Sequence, residues 1–235
     1  MTNIKETKPV IVAVDGPAGS GKSSVCVEAC KKLGFTYVNT GFLYRSVALI
    51  AQRENVDFSS DQELCKIAAK FTDGLTWNPE EGKVIFNGEN ISEYLYKDEI
   101  GKLASNVATS PEIRKELLPV QRKLALLTKK GAIIDGRDIA TVVFPDADVK
   151  VFMTASIDER ARRRITQLHG KKADLTGEEY KKIKESIALR DKQDSTRKVA
   201  PLIQAKDATL LDTSDMNITE SILSLIKIIE TTVEA

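Results

Sequence analysis

The feature that most constrains the fold of this chain is a glycine-rich motif near its N-terminus. Residues 16–23 read GPAGSGKS, which matches the pattern G-x-x-x-x-G-K-[ST] at every fixed position. An apolar run, VIVAV, precedes the motif, and a helix-forming stretch follows it. Glycines in a strand-to-helix turn let successive backbone N–H groups point at phosphate oxygens, and the helix N-terminus adds partial positive charge. The motif therefore predicts a loop that binds a nucleoside triphosphate.

Two side chains of this motif have predicted chemical roles. Lys22 is placed for the β- and γ-phosphates, and the hydroxyl of Ser23 is placed for Mg²⁺. The whole predicted ATP-binding loop consists of Gly16, Pro17, Ala18, Gly19, Ser20, Gly21, Lys22, Ser23 and Ser24.

The rest of the chain alternates between apolar runs and helical patterns. Such alternation is typical of α/β proteins. We therefore predict the P-loop NTPase fold, an α/β architecture in which helices wrap a five-stranded parallel sheet. The first helix is expected over Lys22–Leu33 with Gly34 as its end, and the last helix after a capping box of Asn217 and Glu220. The predicted strands are residues 10–14, 35–38, 132–134, 149–153 and 208–211.

One connection is far longer than a crossover requires. Roughly ninety residues separate the second and third predicted strands. Within them, LTWNPEEGKVIFNGENI (residues 75–91) predicts a small antiparallel meander, in which Asn87-Gly88 suits a type I′ turn. We predict one kinase domain over residues 1–235, with an inserted acceptor-binding subdomain at residues 62–108.

A second motif, GAIIDGRD at residues 131–138, is an apolar run that ends in Asp135. A strand of this kind can bring a carboxylate beside the phosphate loop, where it holds Mg²⁺ or its waters. Asp15, at the end of the first strand, is a second candidate for the outer shell of the metal. Arg137 and Asp138 follow at the carboxyl end of the strand, where open α/β sheets bind their ligands.

Arginines cluster in a third motif, SIDERARRRI at residues 156–165. Ser156 and Glu159 predict a capping box at the start of a helix. A long charged segment follows, and we predict a helical lid over residues 157–196. Arginines on such a lid would shield the transferring phosphoryl group and exclude water. Spacing of i, i+3 and i+4 places on one helical face Arg160, Arg163 and Arg164.

Absent motifs narrow the class of reaction. The single histidine, His169, lies in a polar stretch and is predicted to be an exposed loop residue, which disfavours sites that need a histidine cluster. The sequence lacks the Asn-Lys-x-Asp motif of GTPases and the HRD and DFG motifs of protein kinases, so both classes are disfavoured. Phosphoryl transfer to a small molecule or nucleotide fits better, because Lys, Arg and Mg²⁺ suffice for it.

Composition restricts partners and location. Lys and Arg number 35 against 34 Asp and Glu, a net charge of +1 that argues against a nucleic-acid binder. The polar N-terminus lacks the apolar core of a signal peptide, and no apolar run approaches the roughly 20 residues that span a bilayer. Three cysteines without CxxC spacing fit a reduced, cytoplasmic setting. Because no heptad or apolar stripe indicates a partner, we expect a monomer.

Four segments together resemble the bacterial cytidylate kinases. They are YVNTGFLYR (37–45), SNVATSPEIR (105–114), DGRDIATVVFPDADVKVFMTAS (135–156) and RDKQDSTRKVAPL (190–202). The similarity extends over nearly the whole chain, and the DGRD-x-x-TVVFPDA stretch is far more specific than the phosphate loop. The resemblance implies transfer of the γ-phosphoryl group of MgATP to CMP or dCMP, which gives ADP and CDP or dCDP.

The resemblance also implies roles for individual residues. Arg45 and Arg137 would hold the acceptor phosphate, and Asp138 would read the base, since a carboxylate can accept from cytosine N4. The sequence departs from many members at Thr40, where they carry Ser, and at Asn39, where they carry Asp. The implied acceptor-site residues are Thr40, Arg45, Ser105, Arg114, Arg137, Asp138, Arg190, Asp194 and Arg197. Together, the motifs and the resemblance predict as catalytic residues Lys22, Arg137, Arg160, Arg164 and Arg190. The metal ligands Ser23 and Asp135 are predicted from the motifs.

Two alternatives stay open at the level of sequence. Another P-loop kinase with a small acceptor, of the shikimate or adenylate kinase type, would share the phosphate loop, although the long insertion and residues 135–147 weigh against it. A nucleotide-dependent switch without transfer activity would bind ATP yet release no ADP in response to CMP.

Overall fold

The computed structural model describes residues 8–78 and 82–234, so the Pro79–Glu81 part of the predicted meander lies outside the described residues, as do residues 1–7. The strands are β1 (Val10–Asp15), β2 (Thr36–Asn39), β3 (Leu75–Asn78), β4 (Lys83–Phe86), β5 (Glu89–Asn90), β6 (Gly131–Gly136), β7 (Val149–Thr154) and β8 (Thr209–Asp212). The helices are α1 (Lys22–Leu33), α2 (Thr40–Arg53), α3 (Asp61–Gly74), α4 (Asp98–Val107), α5 (Pro111–Leu126), α6 (Ile157–His169), α7 (Glu178–Thr196) and α8 (Ile218–Val233).

Five parallel strands form the main sheet, in the order β2-β6-β1-β7-β8, which confirms the predicted fold. The central strands β1 and β6 are almost entirely buried, so their near-continuous apolar sequence reflects helices on both faces. β6 is longer than predicted, because Asp135 pairs with Val14 and Gly136 pairs with Asp15. This register sets the carboxyl end of β6 beside the start of the phosphate loop.

The first helix begins and ends where the sequence predicts. Gly34 adopts a left-handed conformation (φ 68°) and donates its backbone N–H to the carbonyl of Cys30, a common way to end a helix. Cys26 and Cys30 are buried against the sheet as small apolar residues. Gly16 has no room for a side chain, since an added Cβ would lie 1.9 Å from the carbonyl oxygen of Met153. The phosphate loop is therefore packed tightly against β7.

The long connection between β2 and β6 contains four helices and the predicted meander. The three strands β3, β4 and β5 are antiparallel, and both Asn87 (φ 47°) and Gly88 (φ 85°) have the positive φ of a type I′ turn. Phe71, Leu95 and Ile100 of this connection are buried in the same apolar cluster as strand residues of the main sheet. The insertion thus extends the main core instead of forming a second one.

The start of α6 differs from its prediction. Ser156 Oγ accepts from the backbone N–H of Glu159 at 3.2 Å, which is half of a capping box. The other half is missing because the backbone N–H of Ser156 donates to Ser214 Oγ, while the Glu159 carboxylate accepts from Arg162 and Arg163. Arginine donors one turn away thus take the carboxylate that the box would use.

Two further predictions concern the start of α8 and the position of His169. The capping box of Asn217 and Glu220 at the start of α8 is complete. His169 is exposed, as predicted, but it is the last residue of α6 and not a loop residue; its Nε2 lies 2.9 Å from Glu179 Oε1. Across residues 8–78 and 82–234, every helix is too short or too polar to span a membrane.

Candidate active site

The phosphate loop between β1 and α1 folds around the amine of Lys22. Its Nζ donates to the carbonyl oxygens of Gly16 (2.8 Å) and Pro17 (2.9 Å), and approaches Ser20 Oγ at 3.3 Å. Burial, followed by repulsion from Arg137, lowers the pKa of Lys22 from 10.5 to about 7. A triphosphate would give this amine a better electrostatic partner than the loop carbonyls do.

The two predicted metal ligands meet at the base of this loop. Ser23 Oγ donates to Asp135 Oδ2 at 2.6 Å, although the residues are 112 positions apart. Thr40 Oγ1 donates to the backbone carbonyl of Asp135 at 2.9 Å, so the start of α2 is tied to β6 at this point. Ser24, the last residue of the predicted loop, is exposed in the first turn of α1.

Tyr37 is a member of this cluster that sequence reasoning missed. Its hydroxyl donates to the same Asp135 Oδ2 at 3.0 Å. Burial, followed by the nearby Asp135 carboxylate, keeps the pKa of Tyr37 well above its usual range, so the phenol remains a donor at neutral pH. No local sequence pattern indicates this contact, because it depends on the register of β2 against β6.

The carboxylate of Asp15 accepts hydrogen bonds from two backbone amides. Its Oδ1 accepts from the backbone N–H of Ile139 and its Oδ2 from that of Ala140, both at 2.8 Å. The carboxylate is 1% exposed, and burial raises its pKa from 3.8 to about 6. Both oxygens accept from the segment that follows Asp138, and the place of Asp15 in the outer shell of a metal stays a prediction.

Three arginines predicted to bind the acceptor, Arg45, Arg137 and Arg190, repel one another through their positive charges. Arg137 lowers the pKa of both Arg45 and Arg190, in each case as the largest cause after burial, and the pKa of Arg190 falls to about 10. Arg45 donates to the carbonyl of Leu95 at 2.6 Å, and Arg137 Nε donates to Asp194 Oδ2 at 2.9 Å. Arg190 Nε is buried without a hydrogen-bond partner among residues 8–78 and 82–234. Such a cluster has the character of an anion site.

A second buried group surrounds Asp138. Arg114 donates to Asp138 Oδ2, and Arg197 places its NH2 nitrogen 3.7 Å from Asp138 Oδ1. That nitrogen of Arg197 is buried and lacks a hydrogen-bond partner within the part of the chain that the structure describes. Arg114 and Asp138 line a cavity of about 240 Å³ together with Tyr44. Ser105 is near this region in the fold, but its hydroxyl is bound to the carbonyl of Gly101 in its own helix.

The arginines of α6 divide into two sets. Arg160 donates to the carbonyl of Ala18 in the phosphate loop at 3.0 Å and to Asp191 of α7 at 2.6 Å. Arg163, which the predicted site omits, donates to the carbonyl of Ser20 at 3.1 Å. Arg164, which the prediction includes, pairs instead with Asp98 of α4. The helical face that contacts the loop therefore contains Arg160 and Arg163.

Comparison with known proteins agrees with this geometry. The family model for cytidylate kinase matches residues 12–231. The chain belongs to the cytidylate kinase family. It is accordingly a nucleoside monophosphate kinase that uses ATP to phosphorylate CMP or dCMP, and the shikimate and adenylate kinase alternatives are set aside.

Curated relatives match over almost their whole length. The chain is 39% identical over 223 residues to the cytidylate kinase of Lysinibacillus sphaericus, which covers 95% of this chain and 97% of the relative. It is 43% identical over 221 residues to that of Shouchella clausii, with 92% and 95% covered. A solved structure of an uncharacterised protein from Eubacterium ventriosum is similar in fold alone, with 14% identity, a TM-score of 0.50, and 95% and 99% of the two chains covered.

Proposed function

We propose that the enzyme transfers the γ-phosphoryl group of ATP to CMP or dCMP in a site that separates phosphate binding from base recognition. The observation that carries this proposal is the position of Arg137 and Asp138. Adjacent in sequence, they have different partners: Arg137 donates to Asp194, whereas Asp138 accepts from Arg114. Arg197 joins the two sides, because it lies 3.7 Å from Asp138 and 3.9 Å from Asp194. One turn after β6 can thus hold the acceptor phosphate with one residue and read the base with the next.

On the donor side, the phosphate loop and Lys22 would bind the triphosphate, while Ser23 and Asp135 would hold Mg²⁺. Hydroxyl and carboxylate oxygens are the ligands that Mg²⁺ prefers, and it usually keeps waters and substrate phosphates in its other positions. When bound, Mg²⁺ neutralises charge on the phosphates. Tyr37 would keep the Asp135 carboxylate in its observed orientation.

On the acceptor side, charge would orient the attacking oxygen. The mutual repulsion of Arg137, Arg45 and Arg190 is relieved when a phosphate dianion enters between them. Because phosphoryl transfer needs mainly in-line positioning and charge neutralisation, these guanidinium groups and Lys22 can account for most of the catalysis. Arg160 would add charge from the lid side while it holds the loop carbonyl of Ala18.

Base selection would rest on Asp138. Its carboxylate can accept from cytosine N4, whereas uracil presents O4 and would leave the buried carboxylate facing another acceptor. The unpartnered nitrogen of Arg197 and the cavity beside Asp138 support a polar planar ligand here. We also propose that residues 62–108 act as the acceptor-binding insert and residues 157–196 as the lid. The insert accepts from Arg45 through the carbonyl of Leu95 and from Arg114 through that of Ala108, and Asp194 of the lid accepts from Arg137.

The test is an assay of ADP release with CMP, dCMP, UMP and AMP as acceptors. We expect Asp138→Ala to lower kcat/KM for CMP by roughly 10²-fold or more, and that for UMP far less, because only the CMP complex loses the pairing. Asp146→Ala, an exposed aspartate in the same segment, is the matched control. Equal losses with CMP and UMP, or equal wild-type turnover of CMP, UMP and AMP, would contradict the proposal.

Cysteine content and net charge also bear on the compartment and the partners of the enzyme. We propose a monomeric enzyme of the cytoplasm that does not bind nucleic acid. Its free cysteines, Cys26, Cys30 and Cys65, fit a reducing compartment, and its net charge of +1 gives little attraction for a polyanion. Light scattering should give a mass close to 25.9 kDa; a mass twice as large would contradict the monomer.

A further inference from the structure

Arg137 and Asp138 are followed by a rare backbone element. Residues Ile139–Val143 form a π-type turn, in which the N–H of Phe144 donates to the carbonyl of Ile139 at 2.7 Å. The carbonyl of Asp138 accepts from both Val142 (2.9 Å) and Val143 (3.2 Å). Single π turns are uncommon and leave backbone groups at their ends without partners in the turn. The position of Asp138 depends on whatever holds this turn.

The first end of the turn is held by Asp15. Its two oxygens accept from the N–H groups of Ile139 and Ala140, the amides that a helical turn leaves free at its start. A negative charge is also favourable at that end. Asp15 directly precedes Gly16, so one carboxylate connects the base of the phosphate loop to the residues after Asp138.

The second end of the turn is held by Arg122 of α5. Its Nε donates to the carbonyl of Val143 at 2.9 Å, and its NH2 nitrogen approaches the carbonyl of Val142 at 3.4 Å. Arg122 lies two helical turns after Arg114 on the same face of α5. Because Arg114 donates to Asp138 itself, α5 contacts both the base-reading carboxylate and the far end of its turn.

We propose that Asp15 and Arg122 are positioning residues for base recognition, which hold the turn 139–143 from its two ends and thereby fix the carboxylate of Asp138. Neither residue touches the cavity beside Asp138, so both act through the backbone. The inference rests on the proposed role of Asp138 in reading cytosine, and it adds how the fold holds that residue in place.

The decisive variant is Arg122→Gln, since Arg122 is exposed and its replacement leaves the core intact. We expect KM for CMP to rise about tenfold and the ratio of kcat/KM for CMP over UMP to fall by a similar factor, while KM for ATP changes less than about twofold. Lys123→Gln, the exposed neighbour in α5, is the matched control and should leave all three values unchanged. Arg122→Lys, which retains one donor, should recover part of the loss.

A double-mutant cycle separates positioning from general stability. If Arg122 acts through Asp138, then Arg122→Gln should have almost no effect on the CMP/UMP ratio in an Asp138→Ala background. Additive effects, or equal changes in KM for CMP and ATP, would overturn the inference. Asp15→Asn should show the same non-additivity; if it does not fold, the Arg122 cycle still decides the question. Loss of selectivity in Asp138→Ala with no effect of Arg122→Gln would overturn this inference alone and leave the proposed function standing.

Discussion

At the scale of single residues, the site retains a buried carboxylate at an energetic cost. Asp15 is ionised at neutral pH although burial raises its pKa from 3.8 to about 6. Two backbone amides partly offset the burial, which explains why the shift is not larger. The proposed positioning of the turn 139–143 gives this buried charge a role.

The raised pKa of Asp15 predicts a specific pH dependence of stability. The pKa of Asp15 is higher in the folded state than in the unfolded state, so its protonation stabilises the folded protein. This contribution is fully present below pH 3.8 and is lost as the pH rises through about 6. The difference amounts to about 3 kcal/mol.

Denaturant titrations of the wild type and Asp15→Asn from pH 4 to 7 test this expectation. The free energy of unfolding of the variant, relative to that of the wild type, should rise by up to that amount over this range and level off above pH 6. Parallel curves for the two proteins would show that the pKa of Asp15 is not raised.

At the scale of elements, α6 contacts the phosphate loop as well as α7. Arg160 and Arg163 donate to loop carbonyls, and an added Cβ on Gly19 would lie 3.4 Å from Cβ of Arg160. Arg163 also donates to the carbonyl of Thr213 at 2.5 Å, which ties α6 to the segment after β8. The first two turns of α6 are therefore held against the phosphate loop and the segment after β8.

This anchoring predicts a difference between two adjacent arginines. Both Arg162 and Arg163 donate to Glu159, but only Arg163 reaches the phosphate loop. We expect Arg163→Ala to raise KM for ATP roughly tenfold, because it removes charge-assisted hydrogen bonds that hold the loop. Arg162→Ala should stay within about twofold of the wild type. Similar KM values for ATP in the two variants would indicate that α6 does not support the loop.

At the scale of the whole molecule, the insertion and the lid meet across the site. Asp98 of α4 pairs with Arg164 of α6, and Gln193 of α7 donates to Asn106 Oδ1 at 3.2 Å. A further contact joins Gln193 to the carbonyl of Ser105 at 3.4 Å. These contacts join the two segments that sequence analysis assigns to acceptor binding and to closure.

Closure of the proposed lid over the insertion should suppress the hydrolysis of ATP by water. We expect Asp98→Ala to raise the ratio of ATP hydrolysis to CMP phosphorylation by roughly two- to threefold, because exposed ion pairs contribute only about 1 kcal/mol or less and their loss favours opening. Glu99→Ala, beside it on α4, is the control. A ratio that is the same in all three proteins would argue against a role of the Asp98–Arg164 pair in closure.

Much of this enzyme is determined by the sequence alone. The phosphate loop, the limits of α1 and the type I′ turn at Asn87-Gly88 depend on interactions between residues close in the chain. The apolar runs of the five parallel strands can be read in the same way, although the strands pair across distant parts of the chain. Glycine conformations, helix capping and apolar periodicity are local properties, and local patterns record them directly. The family follows from the same short motifs, such as DGRD-x-x-TVVFPDA.

Only the tertiary structure decided the partners of the charged residues. Asp15, a candidate for the outer shell of a metal, binds amides 124 and 125 residues away, while Tyr37 meets Asp135 across 98 residues. Of the arginines predicted to share one face of α6, Arg163 contacts the phosphate loop and Arg164 pairs with Asp98, because packing decides which side chain reaches the loop. Such contacts depend on strand register and helix packing, in which a shift of one residue exchanges one side chain for another. Residue types therefore indicate which chemistry is available, and packing decides which atoms perform it.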